Sequence, residues 1–205
     1  MQLDYETVKM AGFTKNDFNY AVIKGILFLA FFSVIHQIYR WTPESFQPLA
    51  ALISETNESL FQHFKMGLVI WIMLLILELM IFRKRITDKN SFIFSRLATT
   101  FILAWVTFTF WMILPGITHN FEPTVEIEII WSFIATFLAG TVGSIFDLIF
   151  LQIKFNKKTK IIIIGLVLLS YIHFLLYSFL ETPPDWLFFE GPSEHSSNFI
   201  SSLIK

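Results

Sequence analysis

The chain has 205 residues, of which 55% are apolar, 18% aromatic and only 15% charged, with a mean hydropathy of +0.63. A soluble domain carries about a quarter charged residues to face water, so the apolar excess points to a surface that faces lipid. A formal net charge of −1 supplies no basic field for nucleic acid, and the lack of Cys excludes disulfides, Cys-based zinc sites and a thiol nucleophile.

In chain order, the amino end from Met1 to Asn19 is mixed polar and lacks the pattern of a cleaved signal peptide, so the first span is expected to remain in the mature protein. Five stretches then reach the roughly 20 helical residues needed to cross about 30 Å of hydrocarbon. They run over about 21–40, 64–82, 97–117, 124–152 and 160–180. Helix is the assignment because an open strand would leave backbone groups unpaired in lipid. The expected fold class is therefore all-α: a polytopic membrane helix bundle of about five transmembrane helices forming a single membrane domain over 1–205. Pro115-Gly116 closes the third span. The fourth stretch is longer than a bilayer requires, and it is expected to tilt, protrude or bend near Gly140 and Gly143.

Lys and Arg placement sets an orientation. Lys9, Lys15 and Lys24 precede or open span one; Arg83, Lys84, Arg85, Lys89 and Arg96 fill the second connection; Lys154, Lys157, Lys158 and Lys160 fill the fourth. Those twelve residues fall on one side, leaving only Arg40, Lys65 and Lys205 opposite. The expectation is a multi-pass cell-membrane protein whose amino end is cytoplasmic and whose carboxyl end is outside. The outer side then holds 41–63, 118–123 and the tail 181–205. Phe46 to Ile53 is too apolar for a solvated loop and should lie along the interface or dip back into the protein.

Ionisable residues at membrane depth are costly and mark functional candidates. Three stripes have helical spacing: Ser33, His36, Gln37 and Arg40 in span one; Glu128, Ser132, Thr136, Gly140, Ser144 and Asp147 in span four; Ser170, His173, Tyr177 and Glu181 in span five. Such stripes are expected to face other helices or water rather than lipid. At about 1.5 Å per residue, His36 and Glu128 lie roughly 6 Å inside their outer ends and His173 about 10 Å. Glu78 and Asp147 lie near the cytoplasmic ends instead, where ion pairing with Arg83, Lys84 or Lys154 is the simplest expectation.

The densest polar run is Glu55 to Lys65. It reads first as a helix start, with Thr56 or Asn57 as cap and Glu58 complementing the dipole. Glu58, Gln62 and Lys65 share one helical face, whereas His63 lies about 140° from Glu58, so those two are not a metal pair of the usual three- or four-residue spacing. Asn57-Glu58-Ser59-x-x-x-His63-x-Lys65 resembles the signature of a family of small multi-span membrane proteins of bacteria and archaea, classed as a domain of unknown function. The family's run is Asn-Glu-Ser-x-Trp-Glu-His-x-Lys; here Phe61 and Gln62 stand where it often has Trp and Glu. The tail from Pro183 to Pro192 is similar to the family's closing pattern. The resemblance implies the fold and names no activity.

Asn57, Glu58, Ser59, His63 and Lys65, with His36, Glu128, His173 and Tyr177, form the candidate polar site on the outer side. Three function classes compete: binding or transport of a small solute, ion or lipid headgroup; hydrolysis of a lipid by a divalent metal such as zinc held by His36, His63 and His173; and a structural or assembly role in which the stripes only pack helices. The lipid bilayer is the one partner expected in all three. No Gly-rich phosphate loop, Gly-x-Ser-x-Gly elbow or His-Glu-x-x-His helix occurs.

Overall fold

The computed structural model describes residues 14–54, 56, 60–117 and 124–176. They form six helices: α1 (Lys15–Trp41), the short α2 (Gln47–Ala50) preceded by a 3₁₀ turn at Glu44–Phe46, α3 (Leu60–Phe82), α4 (Lys89–Ile117), α5 (Val125–Leu151) and α6 (Lys157–Leu176). All but α2 are long and apolar enough to cross a membrane. The chain is an all-α bundle with the character of an integral membrane protein.

Local signals set where the helices begin. Thr14 and Asp17 make a reciprocal capping box at α1, the Asp17 amide donating to the Thr14 hydroxyl and the Thr14 amide to the Asp17 carboxylate. Asp88 does the same duty before α4. It accepts from the Ser91 hydroxyl (2.8 Å) and amide (3.1 Å), and these bonds hold its carboxyl below the usual carboxylate range. Both caps move a start outward from the sequence reading: α1 begins six residues before 21 and α4 eight before 97. α4 also continues through Pro115-Gly116 to Ile117.

The most deeply buried spanning helix, α3, packs against α1, α4 and α6, while α5 lies against α1 and α4. The main core joins Phe28, Phe32 and Ile35 of α1, Met66, Ile70, Trp71 and Leu74 of α3, and Leu103 of α4. A smaller cluster, Phe64, Leu68 and Phe174, seats α6, which is the least covered spanning helix.

Gly140 and Gly143 serve close approach. A Cβ on Gly140 would come within 2.8 Å of the Phe28 side chain, and one on Gly143 within 3.0 Å of Leu103 and Trp71. Across the same contact, a Cβ on Gly25 would collide with the Thr141 hydroxyl and stand 3.1 Å from the Phe137 carbonyl oxygen. Thr136, Ala139 and Ser144 are buried on the same face of α5. Small residues are thus what lets α1 and α5 touch along their backbones. Gly25→Leu should force them apart and cost about 1–3 kcal/mol, read as a lower midpoint of unfolding in detergent micelles.

The segment after α1 dips back into the protein, as its apolar character suggests. Ala50, Ala51 and Ser54 are buried, while Phe46 and Leu49 point outward. Ser54 Oγ donates to the Ile35 carbonyl and accepts from the Tyr39 amide; Lys65 Nζ donates to the Ala51 carbonyl (2.6 Å) and Tyr171 Oη to the Leu52 carbonyl (3.0 Å). Main-chain groups that would lack water at this depth are satisfied by side chains from α3 and α6.

Candidate functional site

The buried face of α1 is Asp17, Tyr20, Ala21, Lys24, Gly25, Phe28, Phe32 and Ile35, a run at three- and four-residue spacing. Two polar members of that face, Tyr20 and Lys24, point to where α3, α4 and α5 bring Glu78, Arg96 and Asp147. Lys24 is 3% exposed, Glu78 7%, Arg96 and Asp147 0%. Two cations and two anions are therefore enclosed in the bundle, drawn from four helices.

Lys24 Nζ donates to Asp147 Oδ2 at 2.7 Å and to Tyr20 Oη at 3.4 Å, and it is ion-paired with Glu78 Oε1 at 2.9 Å. Its Nζ also lies 4.5 Å from the centre of the Trp71 ring, a cation–π contact. Arg96 donates from Nε to Glu78 Oε2 (3.2 Å), from Nη1 to Ser95 Oγ (2.9 Å) and from Nη2 to Tyr20 Oη (3.1 Å), and its guanidinium stacks 3.7 Å over Phe92. Tyr20 Oη donates to Glu78 Oε1. Trp71 Nε1 donates to Asp147 Oδ1 at 3.4 Å. The network is charge-balanced and hydrogen-bonded throughout, the condition under which buried ions are tolerated.

No family model, curated protein or solved structure matches the chain.

Glu78 and Asp147 do pair with cations, but the partners differ from those expected. Arg83, Lys84 and Lys154 are exposed beyond the helix ends. Glu78 shares the inward face of α3 with Trp71, Leu74 and Leu75, and Asp147 lies on the small-residue face of α5, so both carboxylates are turned away from the connections. Lys24 and Arg96, which the orientation count treats as flanking charges, are the residues that meet them. Tyr20 and Trp71 complete a site that no motif announces. The available signal was depth: Lys24 lies nine residues inside α1 and Arg96 seven inside α4.

The candidates expected on the outer side separate into parts. His36 and His63 come together, with ring centres 5.6 Å apart. His63 is buried, lies 4.4 Å from the Trp111 ring and stacks on Phe32 at 5.8 Å. Lys65 is fully buried one half-turn on, beside the returning segment. Glu128 is half-buried near the start of α5. His173 is exposed on α6, its ring 5.9 Å from Phe61 and 5.8 Å from Phe174. The buried residues of α6 are apolar (Ile163, Val167, Phe174); Ser170 falls between Val167 and Phe174 on that face and is half-buried, whereas His173 lies to its side and is exposed. In α5 the stripe is buried from Thr136 to Asp147, whereas Ser132 is only half-buried and bonds the Ile129 carbonyl of its own helix. Among the described residues, no group of three or more His, Asp or Glu side chains is placed to hold a metal ion. Asn57, Glu58, Ser59, Tyr177, Glu181 and the tail 181–205 lie outside the described residues.

Proposed function

We propose that the protein is a multi-pass cell-membrane protein that binds and carries a small ion or solute, and that the Tyr20–Lys24–Glu78–Arg96–Asp147 cluster is part of its working machinery. The cluster itself is the observation that carries this reading. Apolar residues of similar volume commonly hold helices together as well as or better than a buried ion network, so a scaffold has no need of four charges at this depth. Charges drawn from four helices also make a natural two-state element, because relative movement of any one helix changes the pairing.

In this reading the amino end and the basic connections face the cytoplasm, supported by the Lys and Arg bias; Lys24 and Arg96 leave that bias intact when removed from it. The His36, His63, Trp111 and Lys65 group then marks the outer approach. Between the two levels lies the aromatic core of Phe28, Phe32 and Trp71.

The natural absence of Cys permits a clean test. Ser144 is wholly buried beside the cluster. Ser144→Cys, labelled in membranes with a charged, membrane-impermeant maleimide, should react slowly but measurably as the bundle opens. Complete protection over hours, with the denatured protein labelling fully, would favour a static scaffold.

A further inference from the structure

We propose that the seat of the Lys24 ammonium is a monovalent-cation site, and that a small inorganic or primary-ammonium cation takes it when Lys24 withdraws. The inference rests on the carrier reading and names its substrate class.

The seat is built like a cation site. Asp147 Oδ2, Glu78 Oε1 and Tyr20 Oη surround Nζ at 2.7, 2.9 and 3.4 Å, and the Trp71 ring lies at 4.5 Å. Oxygen ligands with an aromatic face suit a dehydrated monovalent cation or an alkylammonium group.

The two resident cations differ in how they are held. Arg96 is fixed by a planar fork with three acceptors and by its stack on Phe92. Lys24 is a compact charge on a flexible stem. The charged and titratable groups facing it are Tyr20 from its own helix, Glu78 from α3, Arg96 from α4 and Asp147 from α5. Arg96 lies 3.2 Å from Glu78 and 3.9 Å from Asp147, so its permanent charge offsets one of the two negative charges, and the second is offset by Lys24, which touches both carboxylates. A monovalent cation in its place keeps the site neutral; a divalent one would leave an excess positive charge.

A route of withdrawal is also present. Side chains of an α-helix lean towards its amino end, which for α1 is the end bearing the basic connections. Asp17 lies two turns in that direction on the same buried face. Lys24 can therefore extend towards the surface with its charge intact, leaving the Asp147–Glu78–Tyr20–Trp71 seat to the incoming cation. No proton or bond is exchanged in this step.

The test uses the full chain in detergent micelles, with unfolding followed by tryptophan fluorescence. NaCl, KCl and methylammonium chloride are each titrated against N-methylglucamine chloride at constant ionic strength. Lys24→Ala should melt below the wild type and recover saturably with at least one of the three cations. The wild type should show the same shift at tenfold or higher concentration, because Lys24 competes. In Lys24→Ala/Asp147→Asn, where charge is again balanced, the shift should vanish. An absence of cation-specific stabilisation in Lys24→Ala, or an equal shift in the double variant, overturns the proposal. If Lys24→Ala is recovered folded only when purified in one of the three salts, that supports it; recovery in none overturns it. Cation-specific stabilisation with Ser144→Cys fully protected would keep the cation site and remove the carrier reading, while labelling without any cation effect would do the reverse.

Discussion

Asp147→Asn should lower the stability of the protein by about 3–5 kcal/mol, the usual effect of removing one partner from a buried ion pair. Asp147 is completely buried and accepts from both Lys24 and Trp71. The amide preserves shape and removes the charge, so the loss measures electrostatic balance and not packing. Adding Lys24→Met to the same chain should recover most of the loss, because the remaining Arg96 and Glu78 carry equal and opposite charges. A double-mutant cycle from denaturant unfolding in micelles gives the coupling. If the two substitutions simply add, the cluster is not the closed, balanced unit described above.

Trp71→Ala is the second large effect, again about 3–5 kcal/mol, from loss of a buried indole and the cavity left behind. Trp71 packs edge-on against Phe28 (5.5 Å between ring centres), lies over Lys24 and fills the space that Gly143 leaves open. Trp71→Phe separates these roles. It keeps much of the ring and the cation–π face but removes the Nε1 donor, so its cost should be nearer 1 kcal/mol. The ratio between the two variants is readable from their unfolding midpoints.

Much of the bundle was legible because the bilayer imposes a length on apolar segments, and five such segments were present. The returning segment was legible for a related reason: Phe46 to Ile53 was too apolar for water. Rotation about each helix axis was not legible. Lys24 and Arg96 stood close enough to the span ends to read as flanking charges, and only packing against α3 and α5 shows that they face inward. For Glu78 and Asp147 the kind of interaction followed from sequence, but the partners did not, since exposed Arg83 or Lys154 satisfied the same rule of proximity. His36 and His63 both fell towards the outer ends of their spans, and the helix phases bring them together; His173, also towards that end, falls on the outward flank of a peripheral helix. Hydroxyl residues add to the ambiguity. Thr99, Thr100 and Ser144 bond carbonyls of their own helices and are fully or almost fully buried, so polarity alone did not mark a ligand-facing surface.

The order of the cluster along the chain has a consequence for biogenesis. Lys24, Glu78 and Arg96 leave the ribosome before Asp147, and until α5 arrives the nascent bundle holds one positive charge too many within the membrane. The arrival of α5 neutralises that charge and at the same time supplies the small-residue face on which α1 closes. A chain stopped before α5 would thus remain distinguishable from a finished one by an uncompensated buried cation.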